Sequence, residues 1–207
     1  MWFWSTVALS GWVGSEAALD RKPVKAIAFK LLAYSCLLLM SFGAELTSIP
    51  LMTAIVVGLA SALIADIFFF VQQRHRLSYV LFVSSQLFYS WAFWQQLDGP
   101  VLIWLPALLF ALAIVVFLLL LPRIDSTLLP TAMTGVVAVQ LACAAGEVWL
   151  SSPNVYDLLG FTGCLIMPIS VILISIKRAQ KSVWGDHRFI SSLYLLANAL
   201  IVFSSVN

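Results

Sequence analysis

Residues 101–121 read VLIWLPALLFALAIVVFLLLL and contain no charged side chain. An α-helix needs about 20 mainly apolar residues to cross the roughly 30 Å hydrocarbon core of a bilayer, so this stretch predicts a transmembrane helix. A helix of a water-soluble bundle would need a polar stripe facing solvent, and this stretch offers none. A transmembrane β-barrel is also excluded, because the chain lacks the alternation of polar and apolar residues that its strands require.

Seven further apolar runs lie on either side of this stretch, separated by short polar breaks. The predicted spans cover about residues 2–19, 26–43, 51–71, 78–97, 101–121, 127–149, 157–176 and 189–205. The breaks leave no room for a soluble domain. The sequence therefore predicts an all-α polytopic membrane protein, a bundle of eight transmembrane helices that forms a single domain over residues 1–207.

The composition excludes several classes of protein. Hydrophobic residues make up 62% of the 207 residues and charged residues 10%, against about 45–50% and about 25% in an average soluble domain. So few charges could not cover a cytosolic domain, and a net charge of +2 is too small for a nucleic-acid binder. Cys36, Cys143 and Cys164 lie inside apolar runs without metal or redox spacing, so we expect them to be buried small hydrophobic residues.

The basic residues predict the orientation. Apart from Lys30, they fall in or next to the first, third, fifth and seventh breaks, and none occupies the other breaks or either terminus. The positive-inside rule then puts these four breaks in the cytoplasm and both termini outside. The first run lacks a basic segment and an A-x-A pattern, so it is interpreted as a retained span rather than a signal peptide. The expected location is the inner membrane of a bacterial cell.

Polar residues inside the predicted spans are the candidate site. Ionisable groups at membrane depth are costly and usually face the bundle interior or a wet cavity. Asp66 is a lone carboxylate among apolar neighbours, and either a functional role or a structural ion pair with Lys30 would explain it. The topology puts one layer of polar side chains in or near the cytoplasmic half, and Glu147 is the outlier near the outer end of the sixth span. The layer comprises Glu16, Lys30, Asp66, Gln86, Ser170, Tyr194 and Asn198.

Simpler roles stay open for several of these residues. Glu16 and Lys30 would reach the headgroups by snorkelling. Gln86 and Asn198 would serve as hydrogen bonds between helices, and Tyr194 as a packing aromatic. His75 and His187 lack metal-ligand partners at suitable spacing, and the chain has no nucleophile elbow, Walker A loop or dinucleotide fingerprint. We therefore expect neither a metal nor a soluble cofactor.

Several blocks in the spans resemble successive blocks of the YhhN family of membrane proteins. The resemblance covers nearly the whole chain, in order and with a matching number of helices. The blocks are Phe29-Lys30-Leu31-Leu32, Ser61-Ala62-Leu63-Ile64-Ala65-Asp66, Ser85-Gln86-Leu87-Phe88-Tyr89, Ala145-Gly146-Glu147-Val148-Trp149, residues 163–171 and Tyr194-Leu195-Leu196-Ala197-Asn198.

The resemblance also implies site residues. The family pattern has Lys-Pro, Gly-Asp, His-x-x-Tyr, Ser-Asp and Tyr-x-x-x-Gln in its second, third, fourth, seventh and eighth helices. The Asp of the Ser-Asp pattern is the second acidic residue of the family pattern. Here Val171 takes its place, which is the main departure. The residues that match are Lys30, Asp66, Tyr89, Ser170 and Tyr194. The residues that depart are Leu31, Ala65, Gln86, Val171 and Asn198.

Eukaryotic members of the family are lysoplasmalogenases, so the resemblance implies hydrolysis of the vinyl ether bond of a lysoplasmalogen or related lyso-ether lipid. Asp66 would donate the proton, and the partner would be a membrane lipid or lysolipid. Two alternatives remain, a catalytically silent relative that binds a lipid or small amphiphile, and a small proton-coupled transporter. The residues expected to bind or support the substrate are Lys30, Gln86, Tyr89, Ser170, Tyr194 and Asn198.

Overall fold

The computed structural model describes residues 2–20, 22–43, 49–70, 75–97, 99–121, 128–179 and 187–206. These residues form eight α-helices and no strand, which confirms the all-α prediction and places a helix at every predicted run. The helices are α1 Trp2–Leu19, α2 Pro23–Gly43, α3 Ile49–Phe70, α4 His75–Trp94, α5 Trp104–Leu120, α6 Leu128–Ser151, α7 Val155–Ala179 and α8 His187–Val206.

The ends of the helices differ from the predicted runs by a few residues, for local reasons. Helix α2 begins at Pro23 because proline suits the first helical position, where its missing N–H is not needed, and the Ala26 N–H then bonds the Lys22 carbonyl at 3.1 Å. Helix α4 ends at Trp94, since the next amides bond three residues back, Gln96 to Phe93 at 3.0 Å and Leu97 to Trp94 at 3.4 Å. Such tight turns are frequent at helix ends.

Three of the helices contain stretches long and apolar enough to cross a membrane, namely Val24–Phe42, Ile49–Phe69 and Ala132–Ser151. Shorter apolar stretches occur in α5, α7 and α8. Large apolar side chains cover the outside of the bundle, Leu119 being 72% exposed and Ile49 81%. An outer surface of this kind suits a hydrocarbon solvent rather than water.

Seven helices form a closed ring in which each contacts the next in the order α1, α2, α3, α4, α6, α7, α8 and back to α1. Helix α8 also contacts α2 and α3, so one of its faces points into the ring. Helix α5 stands outside and packs mainly on α6, where Leu105 and Leu109 are buried against Val139, Ala142 and Cys143. The three cysteines are free and buried, as predicted.

Consecutive helices run antiparallel, as their contacts show. Gly14 of α1 lies against Lys30 of α2, and Gly163 of α7 lies against the Ala197 carbonyl of α8. Helices α1, α3 and α7 therefore end where α2, α4 and α8 begin. We call this the basic end, because residues 20–25, 71–76 and 177–188 hold nine of the eleven Lys and Arg residues.

Candidate functional site

A buried ion pair lies one to two turns from the basic end. Lys30 is in the second turn of α2 and Asp66 is near the end of α3, and their Nζ and Oδ2 atoms are 2.6 Å apart. The two residues are only 2% and 3% exposed. Each charge would be costly to bury alone, because a low-dielectric interior disfavours an unpaired ion. The ion pair considered as one explanation for Asp66 is therefore present in the structure.

Two serines that the sequence analysis did not select complete this pair. The Lys30 ammonium also donates to the Ser191 hydroxyl at 3.0 Å, and the hydroxyls of Ser191 and Ser15 are hydrogen bonded at 2.9 Å. Ser15 in turn donates to the Gly11 carbonyl at 2.8 Å. Since a hydroxyl has a single proton, this arrangement leaves the Ser191 proton for Ser15. Side chains from four helices are thus joined at one level of the bundle.

Helix α8 carries the polar layer deeper into the bundle. Ser191, Tyr194 and Asn198 are spaced three and four residues apart, so they share the inward face. Asn198 accepts a hydrogen bond from the Tyr89 hydroxyl of α4 at 2.8 Å and donates to the Tyr194 carbonyl at 2.8 Å. The Tyr194 ring lies 5.5 Å from that of Phe82. Asn198 therefore joins α4 to α8, as expected of a polar residue between helices.

Small residues allow these side chains to approach one another. A Cβ atom on Gly58 of α3 would lie 2.8 Å from Cε1 of Tyr89, so only glycine leaves room for the Tyr89 ring. The Ser78 hydroxyl of α4 donates to the Ala65 carbonyl at 2.8 Å, next to Asp66. The α3–α4 contact thus holds Asp66 and Tyr89 on facing helices.

Several polar atoms in this layer make no hydrogen bond to the described residues. They are the hydroxyls of Tyr34 and Tyr194, both amide atoms of Gln86, and Oδ1 of Asp66. All four residues are 3% exposed or less. Tyr34, one turn after Lys30, was not selected from the sequence, because a tyrosine in an apolar run is usually a packing residue.

The seventh helix contributes less than the resemblance implies. Ser170 is fully buried, but its hydroxyl donates to the Met167 carbonyl of its own helix at 2.6 Å. Gly160 lies against Ser204 and Gly163 against Ala197, and continuing this register brings Ser170 level with residues 190–194. The side chain of Val171 lies outside the described part of the structure. Glu16, at the end of α1, is half-buried.

Glu147, the outlier, has a structural role at the opposite end of the bundle. Both of its carboxylate oxygens lie 3.0 Å from the Leu102 amide nitrogen and accept its N–H. That amide lies two residues before the first residue of α5, Trp104, where the helix dipole favours a negative charge. Glu147 therefore fixes the start of α5 to α6. Among the described residues, no three His, Cys, Asp or Glu side chains come close enough to share a metal ion.

The fold and this layer define a class: an all-helical membrane protein with an ion pair and polar side chains inside its bundle. The family model of the YhhN family matches residues 25–205, and the chain belongs to this family. Curated relatives named membrane protein YhhN come from Escherichia coli O6:H1, Escherichia coli O157:H7 and Shigella flexneri. Each is 24% identical over 204 residues, which cover 98% of this chain and 97% of the relative. No solved structure matches the chain.

Proposed function

We propose that this protein is a membrane-embedded hydrolase that cleaves the vinyl ether bond of lysoplasmalogen or a related lyso-ether lipid. The observation that carries the proposal is the buried carboxyl group of Asp66, which has one oxygen on the Lys30 ammonium and the other without a hydrogen bond to the described residues. Membership of the YhhN family and the resemblance to lysoplasmalogenases support the choice of reaction.

The membrane arrangement is part of the proposal. All eight helices span the bilayer as a single domain, with both termini outside and the basic end in the cytoplasm. The membrane is the inner membrane of a bacterial cell. The hydrocarbon tail of the lipid lies between helices, and its charged headgroup stays near the lysines and arginines of the basic end.

The first chemical step is proton donation. In its protonated form, Asp66 gives its proton from Oδ1 to the carbon of the enol ether that lies β to the ether oxygen. An oxocarbenium ion forms and the carboxylate is left behind. The Lys30 ammonium, 2.6 Å from Oδ2, stabilises that carboxylate, because the attraction between opposite charges is stronger away from water. Lys30 is thus a supporting residue.

The second step is capture by water. Water adds to the oxocarbenium carbon and gives a proton to Oδ1, which restores the carboxyl group and leaves a hemiacetal. The hemiacetal breaks down to a fatty aldehyde and a glycerophospho alcohol, and one water molecule is consumed overall. Asp66 therefore serves first as the acid and then as the base. Glycosidases divide these two roles between two carboxylates. With Val171 in place of the second acid, we expect slow turnover.

A catalytically silent, lipid-binding relative is the second candidate function, and the same ion pair favours it. A carboxylate that an ammonium already neutralises in the resting protein is a poor proton donor. In this case, the only role of Lys30 and Asp66 would be to hold together the helices of a lipid-binding bundle.

The test measures aldehyde released from a synthetic lysoplasmalogen by purified protein in lipid nanodiscs. Wild-type protein and Glu147→Gln, which lies outside the site, should release aldehyde, whereas Asp66→Asn, verified as folded by its thermal unfolding, should release none. The matched saturated ether lipid, which has no enol ether, should yield no aldehyde with any variant. Absence of aldehyde with folded wild-type protein would favour the silent relative, and full activity of Asp66→Asn would refute the assigned role.

A further inference from the structure

The polar atoms without hydrogen bonds form a group that the proton-transfer scheme does not use. The hydroxyls of Tyr34 and Tyr194 and the amide of Gln86 are enclosed by the bundle. The Tyr34 hydroxyl and the Gln86 amide bond to none of the described residues, whereas the Tyr194 hydroxyl lies near Ser85 and Asn198 without a well-formed hydrogen bond. Buried polar groups nearly always have a partner, because an unpaired donor or acceptor loses its hydrogen bonds to water and gains none in return. Together, these polar groups on α2, α4 and α8 point to a ligand that supplies the missing partners.

Tyr34 and Tyr194 lie near Asp66, and Gln86 lies on the same face of α4 as Phe82 and Tyr89, which contact α8. Tyr34 is one turn after Lys30 on α2, and its hydroxyl is within electrostatic range of Asp66 and Tyr194. Gln86 lies on the face of α4 that meets α8. The Phe82–Tyr194 ring contact flanks it one turn before, and the Tyr89–Asn198 hydrogen bond lies one turn after.

The chemistry of these groups selects a neutral ligand. Tyrosine hydroxyls donate and accept, and the glutamine amide offers two donor protons and one acceptor oxygen. The Lys30 ammonium is already engaged by Asp66 and Ser191. A phosphate here would be repelled by the carboxylate of Asp66. An alcohol, by contrast, donates to the Gln86 amide oxygen or to a tyrosine hydroxyl and accepts from another of these groups.

We propose that Tyr34, Gln86 and Tyr194 form a hydroxyl-recognition site for the free glycerol hydroxyl of a single-chain ether lipid. The inference rests on the proposed function for the identity of the lipid, but recognition does not require turnover. In this arrangement the site reads the hydroxyl next to the ether-bearing carbon, and the phosphate is bound elsewhere. A lipid with a second acyl chain lacks that hydroxyl and is rejected.

The test uses ligands that cannot be cleaved. A saturated hexadecyl ether lysophospholipid and its analogue with the glycerol hydroxyl methylated are titrated into purified wild-type protein by microscale thermophoresis. Methylation should weaken binding about 3- to 10-fold or more, the factor that one neutral hydrogen bond provides. Tyr34→Phe and Tyr194→Phe should weaken binding of the free-hydroxyl lipid similarly and should reduce the preference over the methylated lipid. Tyr156→Phe, at an exposed tyrosine near the start of α7, is the matched control and should bind as wild type.

Further measurements distinguish a lipid from a soluble polyol as the ligand, and distinguish the recognition site from the proposed hydrolase activity. Hexadecylglycerol, which has no phosphate, should retain the preference for a free hydroxyl over its methylated form. Competition by glycerol alone at equal concentration would assign the site to a soluble polyol and overturn the lipid assignment. Equal binding of both ether lipids, with Tyr34→Phe and Tyr194→Phe unchanged, would overturn the site and leave buried water as the partner. Selective binding without aldehyde release from the vinyl ether would support the site and refute the hydrolase.

Discussion

The Lys30 ammonium and the Asp66 carboxylate meet at 2.6 Å inside the helix bundle, with Ser191 as the second acceptor of the ammonium. The two charges belong to different helices, so the pair ties α2 to α3, and Ser191 adds α8. The contact thus combines an architectural role with the proposed chemical one, and variants of each residue separate the two roles.

Removing one partner of the pair should destabilise the protein. Lys30→Met or Asp66→Leu alone leaves an uncompensated buried charge, which costs about 3–5 kcal/mol. The double variant Lys30→Met/Asp66→Leu should recover most of that loss, because no charge remains. Thermal unfolding in detergent measures all three. If the losses of the single variants simply add in the double variant, the two side chains do not act as a pair.

An acid at position 171 should accelerate turnover. The family pattern has an Asp after the seventh-helix serine, where this chain has Val171. Val171→Asp adds a carboxylate for water activation, and general base assistance is worth about 10²–10⁴-fold. Aldehyde release should therefore rise, and Val171→Asn is the matched control that adds polarity without a base. Fast wild-type turnover that Val171→Asp lowers or leaves unchanged would show that water activation is wrongly assigned, and Glu16 would be the next residue to test.

A methyl group at Gly58 should disturb the Tyr89–Asn198 link. The added Cβ would lie 2.8 Å from Cε1 of Tyr89, and overpacking of this kind typically costs about 1–3 kcal/mol. Gly135→Ala is the control, since its Cβ would have no neighbour within 4 Å. The thermal unfolding midpoint of the Gly58 variant should be lower than that of Gly135→Ala. Equal midpoints would mean that the Tyr89 ring is free to move aside.

Neutralising Glu147 should loosen α5 without affecting the polar layer. Glu147→Gln keeps the shape but loses the charge at the start of α5, an interaction worth about 0.3–2 kcal/mol. Hydrogen exchange should speed up at the first turn of α5 and stay unchanged in α8. Faster exchange in α8 would show that the anchor supports the whole bundle instead.

The sequence predicted the helices and the central charge well, because both depend on local hydropathy. A carboxylate among apolar residues identifies Asp66, and Lys30 is the cation at matching depth. Ser191 was missed because a serine in an apolar helix costs little and carries no signal by itself. Its spacing of three and seven residues from Tyr194 and Asn198 was the available clue.

Other features of the structure cannot be predicted from hydropathy. Residues 101–121 contain no charged side chain, yet nothing in their composition indicates that α5 stands outside the ring, because hydropathy says that a helix is apolar but not which neighbours it has. The role of Glu147 follows from that placement and could not be predicted without it. Tyr34 resembles any packing aromatic until its hydroxyl is found without a partner.

The inward face of α8 also bears on how the protein is made. Among the eight helices, α8 is synthesised last, yet it supplies Ser191 to Lys30 and Asn198 to Tyr89. Until α8 is made, Lys30 therefore lacks its bond to Ser191 and Tyr89 lacks its bond to Asn198. A chain that stops before α8 would lack both of these bonds, so the last helix made completes the polar layer that the earlier helices begin.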